Sequence, residues 1–207
     1  MHQNIHLFHY KISYITDTKL VGTVCTEVEL EQLRTDLKLL YSWSIDWQMI
    51  FNTDKCKVVH FGYNNTAADY SLGDVNIQSV KEEKDLGIII HQTLKSSQQC
   101  VAAANSANRT LGMINRTFVN KHSNIMLKLY QSLVRPKLEY CIQAWRPYLK
   151  KDIDLLEKVQ RRATRLMTSD KSLSYTDRLQ KFGLTTLETR RLVFVITVNV
   201  SDDENYK

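Results

Sequence analysis

Glycine and proline are scarce: the 207 residues include 6 and 2 of them. Together they make about 4% of the chain, against roughly 12% in average usage. This shortage argues against a collagenous chain, a flexible linker and a turn-rich small β-sandwich. Long hydrophobic runs are missing as well. The longest purely apolar stretch is Leu192–Ile196, far below the ~18 residues that a membrane span needs. The start, Met1-His2-Gln3-Asn4-Ile5-His6, has neither the basic opening nor the apolar core of a secretory signal. An intracellular location, cytoplasm or nucleus, is therefore expected. Four cysteines, Cys25, Cys56, Cys100 and Cys141, stand too far apart for a metal knuckle or a CxxC pair. They read as reduced thiols rather than a disulfide framework.

Charge is present but uneven. Overall the chain carries 28 Lys+Arg against 22 Asp+Glu. Residues 1–60 sum to −1, residues 61–130 to +2 and residues 131–207 to +5. A polyanionic partner for the C-terminal third is the physical implication.

The first half alternates. Phe8, Tyr10, Ile12 and Tyr14 interleave with polar residues, and Leu20–Cys25 resumes β-type composition, so a hairpin is expected. Thr26 can cap a helix whose first turn holds Glu27 and Glu29. Leu30, Leu33, Leu37, Leu40 and Trp43 or Trp47 form its apolar face, with the tryptophans expected in the core. Further strands are predicted at Met49–Phe61, Val75–Val80 and Leu86–Ile90. From residue 97 the pattern turns helical. Gln98–Phe118 is rich in Ala and Asn. Ser123 can cap a helix that turns Ile125, Leu129, Leu133, Leu138, Cys141 and Ile142 inward, kinked or broken at Pro136. Helices are also predicted over Asp152–Met167, over Ser174–Lys181 with Gly183 as C-cap, and from about Thr186. The boundary is placed near residue 95.

The helix at Asp152–Met167 separates its faces. Stepping about 100° per residue, Leu155, Leu166, Val159, Ala163 and Leu156 fall on one side. Arg161, Arg165, Lys158 and Arg162 fall on the other, and Lys150 and Lys151 extend that cationic face at the helix entry. Four cations within about two turns can follow phosphates. The alternative is a solvated face helped by an i,i+4 pair of Glu157 with Arg161.

The order of blocks resembles a known family. Tyr14-Ile15-Thr16-Asp17-Thr18-Lys19-Leu20 is similar to the Tyr/Phe-Ala-Asp-Asp-Thr-Lys-Leu hairpin of reverse transcriptases from LINE-type non-LTR retrotransposons. Trp43-Ser44-x-x-Trp47-x-Met49-x-Phe51-Asn52-x-x-Lys55-Cys56-Lys57-Val58 and Glu83-Lys84-Asp85-Leu86-Gly87-Ile88 resemble the next two blocks. Leu129-Tyr130-x-x-Leu133-Val134-Arg135-Pro136-x-Leu138-Glu139-Tyr140, Trp145-x-Pro147 and Asp154-x-Leu156-Glu157-Lys158-Val159-Gln160-Arg161-Arg162-Ala163-Thr164 continue the match. It covers about residues 10–191.

The resemblance implies an α+β chain with a partial polymerase palm over 1–95. That palm holds an antiparallel β-hairpin, a helix and further strands. An all-helical thumb-like region over 96–191 and a divergent tail over 192–207 would follow. The family's fingers and first palm half would lie before Met1. It also implies an RNA/DNA template-primer as partner, Mg²⁺ as cofactor, and neither membrane nor small-molecule cofactor. Oligomeric state is left open.

Two-metal phosphoryl transfer needs several converging carboxylates. Here Thr16 stands where the first acid belongs, and Asp17 alone remains as catalytic and metal-ligand candidate. The resemblance also places Lys55 where the family has a lysine that protonates or orients the leaving pyrophosphate. The chain by itself is accordingly expected to be inactive. The alternatives are a nucleic-acid-binding module derived from the thumb, through Lys150, Lys151, Lys158, Arg161, Arg162 and Arg165, and a structural helical interaction fragment.

Overall fold

The computed structural model describes residues 18–62 and 65–192. The predicted first strand, Phe8–Tyr14, together with Thr16, Asp17 and the tail from 193, lies outside the described residues. Within them the chain is α+β. It divides into two compact units, Met1–Glu83 and Lys84–Lys207.

The first unit is built around α1 (Glu27–Asp46). Thr26 Oγ1 accepts from Glu29 N at 3.3 Å, and Glu29 Oε2 accepts from Thr26 N at 2.9 Å. This reciprocal capping box satisfies two otherwise orphaned N–H groups. The same carboxylate also accepts from Cys25 N at 2.8 Å. These backbone bonds hold the Glu29 carboxyl below its ordinary pKa. Leu30 is buried, and Leu33, Leu37 and Leu40 are half-buried. Trp43 and Trp47 correct the expectation: they are 45% and 68% exposed, their rings tilted against each other with centroids 6.4 Å apart. At about 100° per residue they stand about 60° and 100° round from Val28 and about 40° and 80° from Leu39, and those two are also exposed.

The predicted strand at Leu20–Cys25 has no strand of its own, and its exposure simply alternates as an extended chain. The strand expected over Met49–Phe61 shrinks to β1 (Lys57–Val59). Before it, Asn52 Oδ1 accepts from Asp54 N and starts a 3₁₀ turn over Thr53–Lys55. β1 pairs in parallel with β4 (Gln78–Val80). β2 (Ser71–Leu72) and β3 (Val75–Asn76) form a small antiparallel hairpin. At its bend Gly73 has φ +60°, and a Cβ there would stand 2.6 Å from the Tyr41 ring.

β5 (Glu82–Asp85), a charged segment for which no strand was predicted, pairs with β6 (Ile88–His91). Both turn residues, Leu86 and Gly87, have positive φ, as a tight type I′ hairpin turn requires. The predicted strand Leu86–Ile90 therefore starts two residues later.

Helices make the second unit. α2 (Ser97–Thr117) lines its buried face with Cys100, Ala103, Ala104, Ala107, Leu111 and Ile114. Small side chains let a neighbour approach closely. That neighbour is α6 (Lys150–Met167), which buries Leu156, Val159, Ala163 and Met167. Its ends match the sequence expectation to within two residues.

α3 (Ser123–Leu129) runs into a π turn over Tyr130–Val134 and then α4 (Arg135–Glu139). Pro136 explains the change of pitch. Proline lacks an N–H and crowds the carbonyl four residues back. The ladder widens instead, and Arg135 N reaches Tyr130 O, five residues back. The kink expected at Pro136 is thus absorbed before it. The inward set is also corrected. Met126, Tyr130, Val134 and Leu138 are buried, whereas Ile125 and Leu133 are exposed and Leu129 is half-buried.

Cys141 is exposed with φ 51°, and it precedes a short α5 (Ile142–Trp145) in which Ile142 and Trp145 are buried. α7 (Tyr175–Lys181) begins with a second capping box, Ser174 with Asp177, and Gly183 follows at φ +60°. Residues 187–192 are helical, and Thr186 Oγ1 accepts from Thr189 N at their start.

Candidate nucleic-acid interface

α6 carries the site, and its geometry begins with what it buries. The buried arc is wider than its apolar residues. Asp152, Glu157, Gln160 and Thr164 are buried alongside Leu156, Val159, Ala163 and Met167. Ser97 Oγ donates to Asp152 Oδ2 at 2.6 Å, which ties the start of α6 to the start of α2. Gln160 sits fully buried at the centre of a polar network. Its Oε1 accepts from Tyr130 Oη at 2.6 Å, and its Nε2 donates to Tyr175 Oη and Thr185 O, each at 2.9 Å. Tyr175 Oη in turn donates to Glu157 Oε1, while Leu187 N donates to Glu157 Oε2 at 3.0 Å. Burial pushes the Tyr130 and Tyr175 hydroxyls well above the ordinary tyrosine range, so both remain donors. The network fixes the rotation of α6 about its axis.

That rotation decides which side faces water. Lys151, Lys158, Arg161, Arg162 and Arg165 are all exposed. The i,i+4 pair of Glu157 with Arg161 does not form, because Glu157 is turned inward to Tyr175, Gln160 and Leu187. Arg161 lies instead over the Tyr175 ring at 4.9 Å, a contact of about 0.5–1 kcal/mol at an exposed site. Tyr175 thereby holds a guanidinium toward solvent without neutralising it. Arg178 packs against the same ring at 5.7 Å, and it is buried, donating to Leu173 O and Thr164 Oγ1. Arg162 Nη1 approaches Asn108 Oδ1 on α2 at 3.4 Å.

Lys150 is the one site cation of α6 in an ion pair among the described residues, with Asp154 at 3.2 Å. Arg135 and Arg190 are spent elsewhere, both on Glu139. Arg191 is buried, and three of its side-chain nitrogens have no hydrogen-bond partner among the described residues. Burial lowers its pKa against the opposing carboxylates of Glu157, Glu139 and Glu188.

The candidate residues are therefore not one site. Lys151, Lys158, Arg161, Arg162 and Arg165 share one solvent face of one helix, with Lys150 at its edge. Lys55 is an exposed residue at the end of the 3₁₀ turn in the first unit. Asp17, the metal-ligand candidate, lies outside the described residues. Among the described residues no three His, Cys, Asp or Glu side chains gather as a metal site.

Sequence reasoning missed Tyr175 as the platform for Arg161 and Asn108 as the partner of Arg162. It also missed a signal that was readable. Residues 86–138 contain no Asp or Glu and seven Lys or Arg, so the basic excess begins well before the C-terminal third. No protein-family profile matches the chain, and neither does any curated protein or solved structure.

Proposed function

We propose that this chain is a non-catalytic nucleic-acid-binding module related to the thumb of a non-LTR retrotransposon reverse transcriptase, working through the phosphate backbone. The carrying observation is the segregation of α6, which packs one arc into the core and presents on the other five cations that form no ion pair among the described residues. The buried network around Gln160 supports the reading, because it holds that face in one rotation. Cations on a rigid helix lose less freedom on meeting phosphates than cations on a loop. The face contains lysine and arginine but no aromatic residue and no exposed amide, so it recognises charge rather than base sequence.

The motif order supports descent from a polymerase, and Thr16 argues against polymerase activity by this chain. A hydroxyl supplies neither the charge nor the basicity that a divalent ion draws from a carboxylate. If a misplaced metal forfeits ~4 kcal/mol of transition-state stabilisation, the rate falls roughly 10³-fold.

One experiment tests both parts. The full chain is titrated against a labelled 20-base-pair RNA–DNA hybrid in KCl, then assayed for primer extension with Mg²⁺ and deoxynucleotides. Binding that weakens steeply with salt, without extension, is the expected result. Absence of binding at low salt would return the chain to a structural or protein-interaction role. Mg²⁺-dependent extension would overturn the non-catalytic reading.

A further inference from the structure

Two observations fix how α2 lies beside α6. Ser97 bonds Asp152 near the helix starts, and Asn108 meets Arg162 ten or eleven residues further on. At 1.5 Å per residue both intervals are about 15–17 Å. The helices therefore run parallel and in step.

The solvent stripes of the two helices repeat this register. On α6, Lys151, Lys158, Arg162 and Arg165 follow a spacing of 7, 4 and 3 residues. On α2, Gln98, Asn105, Arg109, Gly112 and Arg116 follow 7, 4, 3 and 4. Gln98, Asn105, Arg109 and Arg116 are exposed, and Gly112 is half-buried. The Arg116 guanidinium lies along Gly112, whose missing side chain leaves room for it: an added Cβ would stand 3.7 Å from Nη1. Asn108 and Arg162 meet at the seam between the stripes.

Neither stripe holds an acid. α2 has no Asp or Glu anywhere in its 21 residues, and the acids of α6 are either buried or, in Asp154, paired with Lys150. Neither helix contains an aromatic residue.

We infer that α2 is a second rail of the interface, and that the two rails together take a nucleic-acid duplex, one helix against each backbone strand. This rests on the nucleic-acid reading of α6. Charge complementarity commits the surface to a polyanion. Packed helix axes stand about 8–10 Å apart, so long side chains on both crests reach out on either side of the seam. Surfaces that hold single strands stack bases on aromatic rings, and these two helices offer none. Asn105 and Gln98 add neutral donors that bond phosphate or sugar oxygens without reading sequence. From Lys151 to Arg165 the α6 rail runs about 21 Å, the length over which one backbone strand carries about six charges.

The test uses the full chain, the labelled 20-base-pair RNA–DNA hybrid and its isolated DNA strand, with affinity followed by anisotropy across KCl concentrations. The hybrid should bind more tightly than the single strand. R109A/R116A should weaken hybrid binding and reduce the log–log salt slope by about 1.8, the value for two lost phosphate contacts. R109K/R116K should restore the slope, and the thermal midpoint of each variant should stay at the wild-type value. Tighter binding of the single strand would overturn the duplex assignment. Wild-type behaviour of R109A/R116A, alongside a weakened R161A/R162A/R165A, would overturn the second rail and leave the α6 reading standing. Wild-type behaviour of R161A/R162A/R165A would remove the α6 reading itself.

Discussion

Replacing Gln160 by Met keeps the volume of a fully buried side chain and removes its amide. Tyr130 Oη then loses its acceptor at 2.6 Å, and Thr185 O loses its donor at 2.9 Å. Tyr175 keeps Glu157 as acceptor. The buried hydroxyl is left orphaned at about 1–3 kcal/mol, and the carbonyl of the exposed Thr185 loses a bond of about 0.5–1.5 kcal/mol. The expected loss is about 2–4 kcal/mol, a large part of the ~5–15 kcal/mol that a domain has. Tyr130→Phe removes the hydroxyl and should cost about 1–2 kcal/mol. The informative variant is the double one. In Y130F/Q160M no hydroxyl remains to be orphaned, so it should be more stable than the sum of the singles predicts by at least about 1 kcal/mol. Urea unfolding followed by circular dichroism at 222 nm measures all four proteins, and an unchanged m-value licenses the comparison. Additivity within about 0.5 kcal/mol would mean that Tyr130 and Gln160 do not share a bond, and the account of how α6 is oriented would fail.

Three further outcomes follow from the same geometry. Cys25 and Cys141 are exposed, whereas Cys100 is buried and its thiol is pushed up to about 11 by burial and by Asp152. Iodoacetamide at pH 8 should label the first two quickly and Cys100 last, and mass spectrometry showing Cys100 labelled with them would contradict the packing of α2. Glu29 has a depressed pKa, so its contribution to α1 is complete above the ordinary value of 4.5 and is lost as pH falls through the lower folded value. Glu29→Gln should remove that acid-linked change from the amide signals of Thr26 and Cys25 in an NMR pH titration. If the two amides titrate as before, the cap is not formed by this carboxylate. Gly73→Ala places a methyl against the Tyr41 ring at a positive φ. It should destabilise the first unit by more than about 1 kcal/mol, and an unchanged urea midpoint would count against the turn as described.

Much of the helical half was legible. Thr26 announced α1, because a side-chain oxygen followed three residues later by an acid satisfies orphaned amides locally, whereas the same pattern at Ser174 and Asp177 went unread although α7 itself was placed. The bounds of α2 and α6 followed from periodicity. The strands were harder, since segments of two to four residues carry too little pattern, and Glu82–Asp85 pairs as a strand without an apolar face. The inward face of α3 was misplaced by one residue for a definite reason. A buried set at every fourth position drifts about 40° per step on an α-helix, and the π turn ahead of Pro136 takes up that drift. At the candidate site the cationic stripe was readable on a helical wheel. The buried polar arc of Glu157, Gln160 and Thr164 was not, because its partners Tyr130, Tyr175, Thr185, Arg178 and Leu187 come from distant segments. The ion pair of Glu157 with Arg161, weighed as part of the alternative of a solvated face, does not form for the same cause.

The central claim is that the exposed face of α6 meets phosphates as charge. It is tested most directly by the slope of log affinity against log salt for the RNA–DNA hybrid, in the wild-type chain and in R161A/R162A/R165A. The account predicts a slope shallower by about 2.7 in the variant, the equivalent of three phosphate contacts, with a stability loss of no more than about 1–2 kcal/mol from the Arg161–Tyr175 and Arg162–Asn108 contacts. Equal slopes in the two proteins would contradict it.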